Sequence, residues 1–150
     1  MLNMDTPVMM NTVWMLDDFS PEIGGTRVVP GSHKSGLGGP PEGFDVVHEI
    51  QPTAPAGSVI VFNGQCWHGG GANTSGERRR AICTSYVLGW LRSQENHFLH
   101  TTLEQARGWP ERVRQLMGYD LYSHYDDNLA AGPLGYYEYR SPAVLFEKNS

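Results

Sequence analysis

His68 and Arg79 are the residues whose types and spacing could do chemistry together. His68 is followed by Gly69-Gly70-Gly71, and Arg79 stands eleven positions after it. An imidazole nitrogen suits a redox-active iron. A guanidinium presents a planar fork of donors that grips a carboxylate through two parallel hydrogen bonds. Three successive glycines let backbone or ligand approach where side chains would block it. If His68 ends one strand and Arg79 opens the next, a hairpin points both side chains into one interior. The alternative is a strand-end histidine beside an Arg78-Arg79-Arg80 run facing water.

The elements that must position these two residues are mostly strands. Residues 8–19 read as a strand flanked by Pro7 and Ser20-Pro21, and 26–29 as a short strand stopped by Pro30-Gly31. Gly36 to Gly43 is a loop too rich in breakers for helix or strand, and 46–50 alternates as another strand. Pro55-Ala56-Gly57 turns into a buried strand over 58–62, and a turn at Asn63-Gly64 leads to Gln65-Cys66-Trp67-His68. The longest strand is expected over 79–88, where Ile82, Thr84, Tyr86 and Val87 favour extended backbone.

Beyond Asn96 the pattern becomes helical. Thr101-x-x-Glu104 predicts a capping box, and Gly108 closes that helix. Trp109-Pro110 puts proline at a first helical position, followed by Val113, Leu116 and Met117, with Gly118 as the stop. From Tyr119 the chain is irregular and aromatic, expected to pack across the outside of the sheets. The expected organisation is one domain over 1–150, with a β core at about 8–90 and a helical, irregular tail at about 91–150.

Composition limits the function classes. A chain of 150 residues with 39% hydrophobic and 18% charged residues is ordinary for a globular domain able to bury one core. Its 18 Gly and 10 Pro follow no period, which fits short strands and turns rather than a low-complexity linker. A net charge of -5 argues against a nucleic-acid partner. Cys66 and Cys83 form no Cys-x-x-Cys pair, so no zinc or redox motif can be built from them. No apolar run is long enough for a bilayer, and Met1–Asp5 has no export-signal character. The expectation is a cytoplasmic protein with neither membrane nor nucleic acid as partner.

Three blocks together carry a more specific resemblance. Trp14-Met15-Leu16-Asp17-Asp18-Phe19, then Gly24 to His33 (ending Pro30-Gly31-Ser32-His33), then His68 to Arg80 resemble the phytanoyl-CoA dioxygenase family in order and spacing. The likeness runs from about Asn11 to Leu99. It implies a mainly β fold with a double-stranded β-helix (jelly-roll, cupin-like) core, here incomplete, and short C-terminal helices. It also implies a non-haem Fe(II) enzyme that decarboxylates its cosubstrate 2-oxoglutarate to succinate. Such an enzyme uses O₂ to hydroxylate a small molecule or acyl derivative.

Carried over by residue, the resemblance makes His68 the distal iron ligand and Arg79 the anchor of the far carboxylate of 2-oxoglutarate. The following Ala81-Ile82 favours this register over Arg78 or Arg80. Trp14 matches a residue lining the cosubstrate pocket, with a core aromatic as the alternative, and Gly70 lies beside the same pocket. His33 is not carried over as a ligand; it is expected to shape a loop near the site mouth.

A facial triad needs two histidines and one carboxylate on one face of the metal. In this family the first histidine and the carboxylate arrive as His-x-Asp ahead of the position matched by Trp14. Here no histidine precedes His33, and only thirteen residues precede Trp14. Asn3-x-Asp5 is no substitute, and the Asp17-Asp18 pair belongs to a strand end. His124-Tyr125-Asp126 has the His-x-Asp spacing but follows the core, in the wrong chain order. The expectation is therefore the C-terminal portion of an oxygenase. Alone it should be inactive and bind iron weakly, and it should self-associate through exposed sheet edges.

Two further expectations compete. One is a non-catalytic protein of the same fold that keeps Arg79 to hold a carboxylate. The other is a cupin-like sugar-binding or isomerase domain, which would share the barrel but not the Pro-Gly-Ser-His and Arg79 blocks. In the family the substrate is set largely by loops and the N-terminal region. Gly36 to Gly43 and the tyrosine-rich tail are the candidates here for lining a substrate mouth.

Overall fold

The computed structural model describes residues 7–36, 38–121 and 140–147. The chain divides into two compact units, Met1–Tyr86 and Val87–Ser150. The first is β. Its strands are β1 (Met9–Met15), β2 (Thr26–Val28), β3 (Val59–Asn63), β4 (His68–Gly70) and β5 (Ala81–Val87). A three-stranded sheet has the order β3-β1-β5, and β2 pairs with β4 in a second sheet.

β1 and β3 are antiparallel, in register from Met10↔Asn63 to Trp14↔Val59. β5 runs opposite to β1 on its other side: the Leu16 N–H donates to the Arg80 carbonyl at 3.1 Å, and the Thr12 hydroxyl to the Thr84 carbonyl at 3.1 Å. In the second sheet Thr26 faces Gly70 and Val28 faces His68. Among the described residues neither sheet closes on itself.

The two-residue period of β1 explains its place at the centre. Val13 and Met15 are buried, while Trp14 between them is 44% exposed. Val13, Met15, Phe19, Val28, Phe62 and Cys66 form one apolar cluster that draws on both sheets, with Ala54 and Ile60 packed against it. Phe19 is 1% exposed, and burying such a ring contributes about 1.5–3 kcal/mol.

Two sequence expectations are corrected here. The strand expected over 46–50 is a 3₁₀ turn at Val46–His48, and Ile50 only bridges Val28. Val47 and Ile50 stay exposed, so their β-branched side chains gain no buried face to hold a ladder. The expected hairpin is also absent. His68 opens β4 rather than ending a strand, Arg79 precedes β5 by two residues, and the two strands lie in different sheets. The intervening loop is drawn elsewhere: the Gly71 N–H donates to the Gly25 carbonyl, and those of Thr74 and Ser75 to the Glu22 carbonyl.

One ion pair fastens the start of β5 to the end of β1. The Arg80 guanidinium donates twice to the Asp17 carboxylate, at 2.7 and 3.1 Å, and the Arg80 N–H donates to the same group at 2.7 Å. The Arg80 side-chain hydrogen bonds hold the Asp17 carboxyl below its ordinary value of 3.8. A depressed folded-state pKa stabilises above the unfolded value and is lost as pH falls through the folded one. Asp17→Asn is therefore expected to lower the thermal midpoint slightly at neutral pH. Melts repeated below pH 3.8 should show that difference closing.

The second unit is helical: α1 (His97–His100), α2 (Leu103–Arg107), α3 (Glu111–Leu116) and a 3₁₀ turn at Pro142–Phe146. The capping box forms at Thr102 and Gln105, one residue beyond the expected Thr101 and Glu104. Thr101 is already committed, its N–H closing α1 onto the His97 carbonyl. Gly108 caps α2 as expected, while Pro110 stands at the N-cap of α3 rather than inside it. Gly118 follows α3 with a φ of 88°. Tyr119 is buried against Phe98 and Phe146, at ring separations of 5.0 and 5.4 Å.

Residues 122–139, with His124-Tyr125-Asp126, lie outside the described residues, as do Asn3 and Asp5. Among the described residues no helix is long and apolar enough to cross a membrane.

Candidate metal and carboxylate site

In the first unit the two sheets bound an open cleft of about 470 Å³, a size suited to a small molecule. His68, Gly70 and Arg79 all line it, together with Asn11, Phe62 and Ser85. The cleft thus unites three of the four residues singled out in the sequence, His68 and Gly70 from β4 and Arg79 from the loop ahead of β5, strands that lie in different sheets. Trp14 is apart from it. Its ring lies on the face of β1 opposite Val13 and donates from Nε1 to the Thr12 hydroxyl at 3.1 Å.

His68 is held in a definite ring orientation. Its Nδ1 lies 2.7 Å from the Cys66 carbonyl, which can only accept, so Nδ1 carries the proton. In the neutral ring Nε2 is then the unprotonated nitrogen, the state a metal ligand requires. The ring leans on Phe62 with centroids 4.8 Å apart.

Arg79 reaches the cleft from the loop ahead of β5. Its guanidinium donates to the Gly24 carbonyl and lies 5.7 Å from the centroid of the Phe19 ring. Those contacts fix the head group and leave further N–H donors for an anion. The neighbouring Arg80 is neutralised by Asp17, whereas Arg79 has no carboxylate partner among the described residues. Arg78 does not line the cleft. The geometry therefore distinguishes three adjacent arginines that differ little in sequence.

The three glycines divide their roles. A Cβ on Gly70 would meet nothing within 4 Å, so Gly70 faces open room. A Cβ on Gly71 would stand 2.3 Å from Gln51 Nε2 and 2.8 Å from the Gly25 carbonyl. Gly71 is thus needed where two backbone segments cross. His33 does not line the cleft; its Nδ1 lies 3.4 Å from the Cys66 thiol. Asn11 and Ser85, joined by a 2.8 Å hydrogen bond, were not singled out in the sequence. Only the alternation of β1 and β5 could have placed them in the cleft.

Residues 2–81 match the description phytanoyl-CoA dioxygenase (PhyH). The chain belongs to that family. It is 32% identical over 120 residues to the uncharacterized protein Rv1501 of Mycobacterium tuberculosis, covering 80% of this chain and 43% of that one. It is also 32% identical over 117 residues to the dioxygenase andF of Emericella variicolor, covering 77% of this chain and 39% of that one. Among solved structures, AviO1 from Streptomyces viridochromogenes is 30% identical, with a TM-score of 0.45 over 58% of this chain and 40% of that one. The chain spans about two fifths of the length of these curated relatives. With PhyH membership comes the jelly-roll core, of which the described residues form two small, open sheets.

For the family's iron, the described residues fit in part. His68 offers an imidazole whose Nδ1 is engaged by the Cys66 carbonyl, but no group of three His, Cys, Asp or Glu side chains among them could hold a metal.

Proposed function

We propose that this chain carries the distal iron ligand, His68, and the 2-oxoglutarate anchor, Arg79, of a PhyH-type Fe(II)/2-oxoglutarate-dependent oxygenase. Its substrate class is a small molecule or acyl derivative, hydroxylated as 2-oxoglutarate is converted to succinate. The single observation behind this is that one cleft holds an imidazole with Nε2 free and an arginine lacking any carboxylate partner among the described residues.

Each residue has a separable task. Arg79 binds the far carboxylate of 2-oxoglutarate through its remaining donors and sets the cosubstrate's direction in the cleft. Gly70 leaves room beside it, and Phe62 packs against the His68 ring. Bound iron would supply the activation of O₂. A second histidine and a carboxylate, which the described residues do not bring to His68, would complete its coordination. That same shortfall favours a second reading, a non-catalytic protein that holds a carboxylate ligand through Arg79 alone.

Anaerobic calorimetry of 2-oxoglutarate binding, with and without Fe(II), separates the two. The oxygenase reading expects binding that depends on Arg79 and, because the described residues offer only His68 to the metal, is tightened weakly by Fe(II), the gain disappearing in His68→Ala. Binding that depends on Arg79 but ignores Fe(II) supports the carrier. If Arg79→Ala changes nothing under either condition, both readings fall.

A further inference from the structure

Ser32 is buried, 6% exposed, and its hydroxyl is used in both senses. It donates to the Val29 carbonyl at 2.6 Å and accepts from the Trp67 N–H at 2.8 Å. The Val29 N–H returns a bond to the Trp67 carbonyl at 2.9 Å. The turn at Ser32–Lys34 is reached through Gly31, whose φ of 82° lets the chain double back and set the hydroxyl against Trp67.

The Trp67 N–H belongs to the same peptide group as the Cys66 carbonyl, the acceptor for His68 Nδ1. Ser32 therefore grips one side of a rigid plane whose other side sets the protonation of the histidine. An amide whose N–H is bonded is also a stronger acceptor at its carbonyl, because linked hydrogen bonds polarise one another. The Cys66 thiol lies against His33 Nδ1 at 3.4 Å, a second tether on the residue that supplies this carbonyl.

We propose that Ser32 is a positioning residue for His68. By holding the Cys66–Trp67 peptide plane, it keeps the proton on Nδ1 and leaves Nε2 bare toward the cleft. This role rests on the reading of His68 as a metal ligand. It assigns the Pro-Gly-Ser-His block a task beyond shaping a loop. Without the hydroxyl the Trp67 N–H loses its acceptor and the plane can tilt. The ring then relaxes toward the tautomer protonated at Nε2, which predominates in free neutral histidine.

The test is long-range ¹H–¹⁵N NMR of the whole chain labelled at histidine nitrogen, above the imidazole titration range and without metal. In the wild type His68 should show a protonated-type Nδ1 and an unprotonated-type Nε2. Ser32→Ala should move both signals toward averaged values, Ser32→Thr should restore them, and the histidines other than His33, which adjoins Ser32 and touches Cys66, should not move. If Ser32→Ala fails to fold, Ser32→Cys, close in volume but a weaker acceptor, should give an intermediate shift. A His68 tautomer unchanged in a folded Ser32→Ala or Ser32→Cys protein overturns the proposal.

Where Fe(II) tightens 2-oxoglutarate binding, loss of the Ser32 hydroxyl should reduce that gain. Absence of any Fe(II) effect in the wild type counts against the oxygenase reading, and the tautomer measurement still decides whether Ser32 is the clamp.

Discussion

Replacing Arg79 with alanine is expected to weaken 2-oxoglutarate binding by roughly 10- to 150-fold. Hydrogen bonds to a charged group contribute about 1.5–3 kcal/mol, and about 1.4 kcal/mol is a factor of ten. Arg79→Lys should fall between, since it keeps the charge but loses the planar fork. Arg78→Ala is the matched control: it removes the same charge from a side chain that does not line the cleft. Arg80→Ala should instead act on stability, because its partner is Asp17. The check is calorimetric affinity for 2-oxoglutarate across the four variants, with thermal melts to confirm folding. Equal losses at positions 78 and 79 would mean that only the diffuse charge of the run matters, and the assignment of Arg79 would be wrong.

That experiment depends on which arginine faces the cleft, a question sequence answered only through resemblance. Local patterns carried much of the fold. The apolar run at 58–62 became β3, displaced by one residue and not the buried strand expected, since Val59 and Val61 stay exposed. The strand read over 8–19 became β1 at Met9–Met15. What local pattern does not carry is the choice of partner. Val47 and Ile50 are β-branched but stay exposed, and Val46–His48 became a turn. His68 and Arg79 looked like two ends of a hairpin because they are close in sequence. They meet instead because β4 pairs with β2 and β5 with β1, across two sheets.

The same holds within the site. The types of His68 and Arg79 announce their chemistry, but nothing near Ser32 tells that its hydroxyl meets the Trp67 N–H, 35 positions away. Likewise Asn11 and Ser85 belong to no motif and enter the cleft only through the pairing of their strands.

The largest structural effect is expected at Gly24, which joins the fold to the anchor. Gly24 has a φ of 74°, and a Cβ there would stand 2.6 Å from the Gly71 carbonyl oxygen, 2.8 Å from Asn73 N and 2.9 Å from Ala72 C. All three are backbone atoms, so no side chain can swing aside. The left-handed backbone costs an alanine about 1–2 kcal/mol, and overpacking adds about 1–3 kcal/mol. Gly24→Ala should therefore destabilise by about 2–5 kcal/mol, a large share of the ~5–15 kcal/mol of a typical domain. Gly57 separates the two terms, since its φ is 88° but a Cβ there meets nothing within 4 Å. Gly57→Ala should cost only the backbone term, measured by urea unfolding under the same conditions. Because the Gly24 carbonyl receives the Arg79 guanidinium, Gly24→Ala should also weaken 2-oxoglutarate binding in whatever fraction stays folded. Gly57→Ala should leave that binding intact. Equal destabilisation at the two glycines would show that the loop carrying Gly71 to Asn73 yields freely, and a yielding loop could not hold Arg79 in a fixed direction.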